Sequence, residues 1–395
     1  MDANAYEHLT VVPDGHTTIH DGAIVWEDGK IIWIGQSNDQ WFCEWKQEHP
    51  VHDGSGLIAI PGMIDVHIHG AVNHDFINGT QEDITAVSRH IVQDGCTAFQ
   101  ASLTVVSHDE TLRLLKSLGR CESVSGGAEY LGIHSEGPFL SPKYKALMIE
   151  EYLRNPDLRQ CEEMIRAAGG KLHYVTIAPE WPDSCEAIRY FTENGVTCMV
   201  GHTAAKVQDV QRAYEAGAKG FTHLYNAMSQ HTHRSPGVVT AAFLQKDMMA
   251  ELICDGFHVD PDVIRVTYEM LGPDRICLIT DAMLGKGMPD GDYTFSALHC
   301  RKVGKTVTVV ETGRISGSCV GMNDVTKRMM NFTGCSYENI VQMACVNPAE
   351  MAQVQNRKGT LTVGKDADVV LMSSNWDVMV TVVNGKEVYR MGGVQ

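Results

Sequence analysis

No stretch of this 395-residue chain approaches the run of about 20 apolar residues that a membrane-spanning helix requires, so a spanning protein is not expected. The N-terminal residues MDANAYEHLTVV lack a basic segment followed by an apolar core, and nothing there suggests secretion. Cysteines number 12, yet none forms a C-x-x-C pair and they are too scattered for a dense disulfide framework. They read as reduced thiols of a cytoplasmic protein, many of them in the core. Positive charge is also short: 32 Lys and Arg stand against 49 Asp and Glu, a formal net charge of −17. Nucleic acid and anionic membrane are therefore not expected as partners, because both require a basic surface. Nor is there a Pro- or Ser-rich linker, so any separate domains should meet at a fixed interface.

What is present is a repeated unit. Between residues 60 and 285 the chain alternates a short apolar run, an amphipathic stretch and a Gly-containing turn. The apolar runs are 62–68, 97–103, 130–135, 172–178, 196–202, 219–224, 249–254 and 276–281, and segments of helical period such as 82–94 and 205–217 lie between them. Strands alternating with helices indicate βα units around a parallel sheet, and eight such units predict a closed (β/α)8 barrel of the TIM type. Functional groups in such a barrel come from the C-terminal strand ends and the loops that follow them.

The flanks have a different texture. Residues 1–59 carry short β segments with turn signals at Asp14-Gly15, Asp21-Gly22 and Asp28-Gly29, and 358–395 resumes the pattern with Lys358-Gly359, Gly364-Lys365 and Asn384-Gly385. Two β-rich pieces bracketing a barrel can pair into one small sandwich. The expected organisation is thus a discontinuous β-sandwich domain from 1–59 and 358–395 and a catalytic barrel over 60–357.

Six chemically capable residues fall at or near the expected C-terminal strand ends: His67, His69, Glu136, His202, His223 and Asp281. With a period of 2, His67 and His69 point to the same side of their strand and can hold one divalent cation. A lone histidine at a strand end is usually a core residue with a satisfied hydrogen bond. His202 and His223 on consecutive strands, converging with that pair and with Glu136, are harder to read that way. Glu136 in HSEGPFL is costly to bury unless it is paired or metal-bound. Asp281 could cap a following helix. Beside a metal site it could instead take a proton from water and pass it to a leaving amine. The donors suit a divalent ion, with zinc, iron, manganese and cobalt alike compatible.

The segments PGMIDVHIHG, GIHSEGPFL, GHTAA, FTHLYNAM, CDGFHV, LITDAM, SGSCVGM, NPAEMA and GTLTVGKDADVV resemble the amidohydrolase superfamily, and within it the N-acetylglucosamine-6-phosphate deacetylases. The resemblance runs in family order over about 300 residues. It implies hydrolysis of the N-acetyl group of a small amino-sugar phosphate, with Glu136, His202 and His223 as principal metal ligands and His67 and His69 as ligands of a second metal. Asp281 would be the acid–base residue. The same resemblance assigns substrate contacts to Leu147, Met148, Asn226 and Ala227, to Asp255, Gly256, Phe257 and His258, and to Ile315, Ser316 and Gly317. It further implies a homodimer in which Arg234 reaches the phosphate held by the neighbouring subunit, although in one chain that arginine reads equally well as a solvated loop charge. His231 and His233 give its loop a basic character that suits a phosphate.

Three departures touch the substrate rather than the metal chemistry. Lys145-Ala146-Leu147-Met148 stands where the family usually has Lys-Gly-Ala-His, and Met148 cannot donate a hydrogen bond to a hydroxyl. Ser229 and Gln230 replace an Arg-Pro pair, and Lys286 follows Asp281 where the family is small and neutral; it reads as solvated by default or as a new cationic contact. The galactosamine epimer, or another N-acyl compound, is therefore an alternative substrate. An N-acyl-amino-acid deacylase or cyclic amidohydrolase would commonly carry a carboxylated lysine at the end of strand four, whereas here Lys171 sits at the start of that strand. A non-catalytic sugar-phosphate-binding barrel would have no need of Asp281 as a proton shuttle.

Overall fold

The computed structural model describes residues 4–295 and 298–392. Eight parallel strands form a barrel sheet: β1 (Met63–Ile68), β2 (Cys96–Leu103), β3 (Glu129–Glu136), β4 (Leu172–Ile177), β5 (Thr197–Val200), β6 (Gly220–Phe221), β7 (Met249–Ile253) and β8 (Ile276–Ile279). Each strand pairs with its sequence neighbour. The first and last meet through the Asp281 N–H, which donates to the His67 carbonyl at 2.9 Å, and the His69 N–H, which donates to Ala282 at 2.8 Å. Every apolar run picked out in the sequence overlaps one of these strands. Strands covered on both faces read as near-continuous apolar runs, and that is what makes them legible.

The helices that follow are α1 (Gln81–Ile91), α2 (His108–Leu118), α3 (Leu158–Ala168), α4 (Ser184–Glu193), α5 (Val207–Ala216), α6 (Val238–Leu244), α7 (Pro261–Leu271) and α8 (Met322–Thr333). Local chemistry sets their starts. Thr80 and Asp83 form a capping box on α1, Asp157 caps α3, and Asp260 precedes Pro261 at the first turn of α7. The inner base of the barrel is filled by Ile64, Ala98, Leu131, Tyr174, Met199 and Cys277, closed from below by Ala349, Met351 and Ala352.

Strands from both termini form a second sheet. Ile58–Pro61 pairs in parallel with Asn4–Val11 and antiparallel with Val369–Met372, so the two ends of the chain are joined by backbone hydrogen bonds. Val369 and Leu371 pack with Tyr6, Leu9, Ile24 and Trp26, whereas Val370 and Met372 belong to the core shared with the barrel. Of the expected turns, Asp28-Gly29 and Asn384-Gly385 connect hairpins. Asp21-Gly22 does not: it lies within Ile19–Glu27, where the register to the neighbouring strand shifts and Asp21 adopts φ 51°. A cluster of charges ties the sheet to the base of β3. The Lys358 ammonium lies 2.8 Å from Glu129, 3.1 Å from Asp366 and 2.5 Å from Asp368, and Arg357 joins Glu129 and Asp366.

One element has no counterpart in the sequence reading. After β8 the chain forms a four-stranded antiparallel sheet (Gly291–Phe295, Leu298–Val303, Thr306–Val309, Ile315–Ser318) before entering α8. Its last strand lies beside the end of β8: the Ser318 N–H donates to the Asp281 carbonyl at 2.9 Å and the Met283 N–H to Ser318 at 3.0 Å.

Candidate metal centre

The six residues gather at the C-terminal mouth of the barrel as two triads, each with its ligand atoms within 4.8 Å of one another. In the first, Glu136 Oε1 lies 3.0 Å from His202 Nε2 and 2.9 Å from His223 Nε2, and the two imidazole nitrogens are 3.1 Å apart. In the second, His67 Nε2 and His69 Nε2 are 3.3 Å apart, and Asp281 Oδ1 lies 3.7 and 3.3 Å from them. A four-coordinate ion with bonds of about 2.0–2.1 Å holds neighbouring ligand atoms about 3.3 Å apart, so both triads have the edge lengths of a divalent-metal site. Glu136 touches both: Oε2 is 3.4 Å from His69 Nε2 and Oε1 is 3.7 Å from His67 Nε2. The orientation of the rings supports the same use, since His202 Nδ1 is held by the Tyr144 carbonyl at 2.9 Å and His67 Nδ1 by Glu251 at 3.0 Å, leaving each Nε2 facing inward.

The backbone under these side chains is strained. Asp281, His202, His223, Tyr225 and Ala227 all have positive φ, at 47°, 46°, 29°, 79° and 47°. Each such non-glycine residue costs about 1–3 kcal/mol, and clustering of this kind is characteristic of functional sites. Burial pushes the Asp281 carboxyl up, but the hydrogen bond with His69 and the imidazoles of His67 and His69 hold it down at about 2. The carboxylate is thus ionised at neutral pH and able to accept a proton. His134, beneath this layer, is pushed well below the usual imidazole range by burial and by His67; a neutral ring bridges Ser102 and Thr176 there, both at 2.9 Å.

The remaining expected residues are placed in different ways. Asn226 and Ala227 follow His223 directly, with the Ala227 carbonyl accepting from the Thr203 N–H at 3.1 Å. Asp255 accepts from the backbone N–H groups of Phe257 and His258, each at 2.8 Å, and holds His258 Nδ1 at 2.7 Å. Burial would lower the His258 imidazole, but Asp255 and then Asp281 raise it. Gly256 supplies the positive φ, 72°, of that tight turn, and Phe257 is exposed beneath the Arg328 guanidinium. Ser316 is buried against Met283, while Ile315 is exposed. Leu147 packs on the core of the inserted sheet, formed by Leu284, Cys300, Val307 and Cys319, and Met148 is half-buried beside it. Arg234 is exposed on the loop before α6 and makes no ion pair with any other described residue.

Lys286 departs from the expectation. It is buried, 2.6 Å from Asp94 and donating to the Val320 carbonyl at 2.8 Å, and is neither solvated nor a new contact in the mouth. A long ammonium stem can reach across a packed loop to a carboxylate distant in sequence, which no local pattern reveals. Three buried groups escape the sequence reading altogether: Glu251, Tyr174 and His134. The one signal for Glu251 is an acid inside the otherwise apolar run MAELIC, at a position facing the barrel interior.

Residues 58–388 match the amidohydrolase family. The chain belongs to the amidohydrolase family. Among the relatives of this amidohydrolase, N-acetylglucosamine-6-phosphate deacetylase from Bacillus subtilis (strain 168) is 36% identical over 332 residues, covering 83% of this chain and 84% of that one. N-acetylgalactosamine-6-phosphate deacetylase from Escherichia coli O157:H7 is 30% identical over 360 residues, covering 87% and 95%. The crystal structure of N-acetyl-D-glucosamine-6-phosphate deacetylase from Mycobacterium smegmatis superposes with a TM-score of 0.90 at 28% identity, covering 98% of this chain and all of that one. As a member of the family the protein is metal-dependent, and the two triads are where its donor atoms converge.

Proposed function

We propose that this amidohydrolase removes the acetyl group of N-acetylglucosamine-6-phosphate, giving glucosamine-6-phosphate and acetate. The observation that carries the reading is the pair of triads sharing Glu136, with the ionised Asp281 at the edge of the second, in a chain whose relatives are deacetylases of this class. Glu136, His202 and His223 would hold one divalent ion and His67 and His69 a second, with Glu136 shared; zinc is the first choice, and iron, manganese or cobalt also suit the donors. Such an ion supplies Lewis acidity, lowering the pKa of water and polarising the amide carbonyl. Asp281 takes the proton of the attacking water as its oxygen bonds to the carbonyl carbon. It then delivers that proton to the sugar nitrogen as the C–N bond breaks. His258, oriented by Asp255, and the backbone of Asn226 and Ala227 would position the sugar, with Leu147, Met148 and Ile315 to Gly317 forming the opposite wall. The exposed Arg234, without an ion pair among the described residues, supports a homodimer in which it reaches the phosphate bound by the neighbouring subunit. Twelve unpaired thiols support a cytoplasmic enzyme, and no helix of the described residues is long and apolar enough to cross a membrane.

A second reading is deacetylation of N-acetylgalactosamine-6-phosphate, favoured by the relative of that activity and by Met148 in place of a hydrogen-bonding histidine. Acetate release by the metal-quantified protein, measured on both phosphorylated epimers and both unphosphorylated sugars, separates the two. Fast turnover of the glucosamine epimer alone supports the first. Preference for the galactosamine epimer replaces it, and no turnover of any of the four sinks both.

A further inference from the structure

The barrel contains a fully buried carboxylate that belongs to neither triad. Glu251, on β7, has no solvent exposure, and among the described residues no lysine or arginine hydrogen-bonds to it. Its Oε1 accepts from the Tyr174 hydroxyl at 2.6 Å. Its Oε2 serves two groups at once, lying 3.0 Å from His67 Nδ1 and accepting the His223 backbone N–H at 3.1 Å. The Glu251 carbonyl accepts from the N–H of Leu224, the next residue along, at 2.9 Å. One oxygen therefore fixes the ring of a histidine in the second triad and the strained backbone, φ 29°, of a histidine in the first.

We propose that Glu251 is a positioning residue that couples the two metal positions. A hydrogen bond from His67 Nδ1–H to the carboxylate selects the tautomer whose Nε2 lone pair faces the ion and increases its basicity. Through the His223 N–H the same oxygen keeps that residue in a conformation it would not hold unaided, so that its Nε2 stays 2.9 Å from Glu136. Glu251 has no lysine or arginine partner among the described residues, and a dication held by these histidines would compensate its buried charge. Tyr174 secures the other oxygen and so sets the rotation of the carboxylate.

This inference rests on the triads holding divalent ions, and its test separates the two claims. Full-length wild type, Glu251→Gln, Glu251→Asp and Tyr174→Phe would be dialysed against Zn2+ buffered over a range of free concentrations. Bound metal would be counted by plasma mass spectrometry, and the absorption spectrum of the Co2+-loaded forms recorded. Two ions on the wild type, with both midpoints moved 10- to 100-fold towards higher free metal in Glu251→Gln, less in Tyr174→Phe, and an altered Co2+ spectrum, are expected. Unchanged midpoints in Glu251→Gln, or movement of one midpoint alone, overturns the coupling while leaving the metal reading intact; a lowered melting temperature with the same isotherm does so too. A wild type that binds no metal overturns both claims. Should Glu251→Gln fail to fold, the isotherms of Glu251→Asp and Tyr174→Phe decide on the same terms.

Discussion

At the scale of single residues the site separates chemistry from capture. In the proposed mechanism Asp281 moves the proton, from a position 3.3 Å from His69 Nε2, whereas Glu136, His202 and His223 form a complete triad without it. Asp281→Asn is therefore expected to keep metal in the Glu136 triad and to lose at least about a hundredfold in turnover, the low end for general acid–base catalysis. Near-normal kcat in a metal-loaded variant would remove Asp281 from the mechanism. The role proposed for Arg234 is of the opposite kind: exposed and without an ion pair among the described residues, it is available to an anion. Arg234→Ala should raise KM for the 6-phosphate substrate and leave kcat nearly unchanged. An equal loss on the unphosphorylated sugar would contradict a phosphate contact.

The elements decide how the pocket is walled. The inserted sheet reaches Asp281 through its last strand, and Leu147, from the loop after β3, packs on its core. Gly317 is the tight point of that strand. Its φ is 58°, and an added Cβ would lie 2.3 Å from Met283 Cγ and 3.1 Å from the Asp281 carbonyl. Gly317→Ala is predicted to cost about 1–2 kcal/mol from the left-handed backbone alone and to raise KM by displacing the strand. Chemical denaturation together with Michaelis kinetics checks both parts; unaltered kinetics would mean that this strand does not bound the substrate. Thr306-Val307-Thr308-Val309 carries the period-two pattern of a strand with one buried face, so part of this sheet is legible in principle. Its place beside β8 is not, because pairing of Ser318 with Asp281 is a contact between distant segments.

Across the whole molecule, the terminal sheet and the barrel are held together by a shared apolar core and by the charge cluster around Lys358. The Lys358 side chain is 1% exposed and faces three carboxylates. Removing only the cation leaves the buried Asp368 without its charged partner, while Glu129 keeps Arg357, so Lys358→Met should destabilise the fold by about 3–5 kcal/mol. Urea denaturation at pH 7 measures this, and a loss under 1 kcal/mol would show that the pairing is energetically idle. Asp366, which burial alone would raise, is held at about 2 by Lys30, Lys358 and Arg357. A carboxyl depressed on folding contributes stability that is complete above its unfolded value near 4 and is lost as pH falls through its folded value. The wild type should accordingly weaken between pH 4 and 2, and Asp366→Asn should flatten that part of its stability profile.

The sequence by itself determined the eight barrel strands and the six residues at their ends, because strands buried on both faces must be apolar and ligating side chains interrupt that pattern conspicuously. It also carried the pairing of the two termini, through β texture that a barrel cannot use. Only the tertiary structure decided how closely Glu136 approaches both triads, that Glu251 serves a histidine in each, and that Lys286 turns away to Asp94. Those outcomes depend on distances between residues 28 to 192 positions apart, such as His223 to Glu251 and Lys286 to Asp94. Closing the barrel sets such distances, and no local periodicity encodes them.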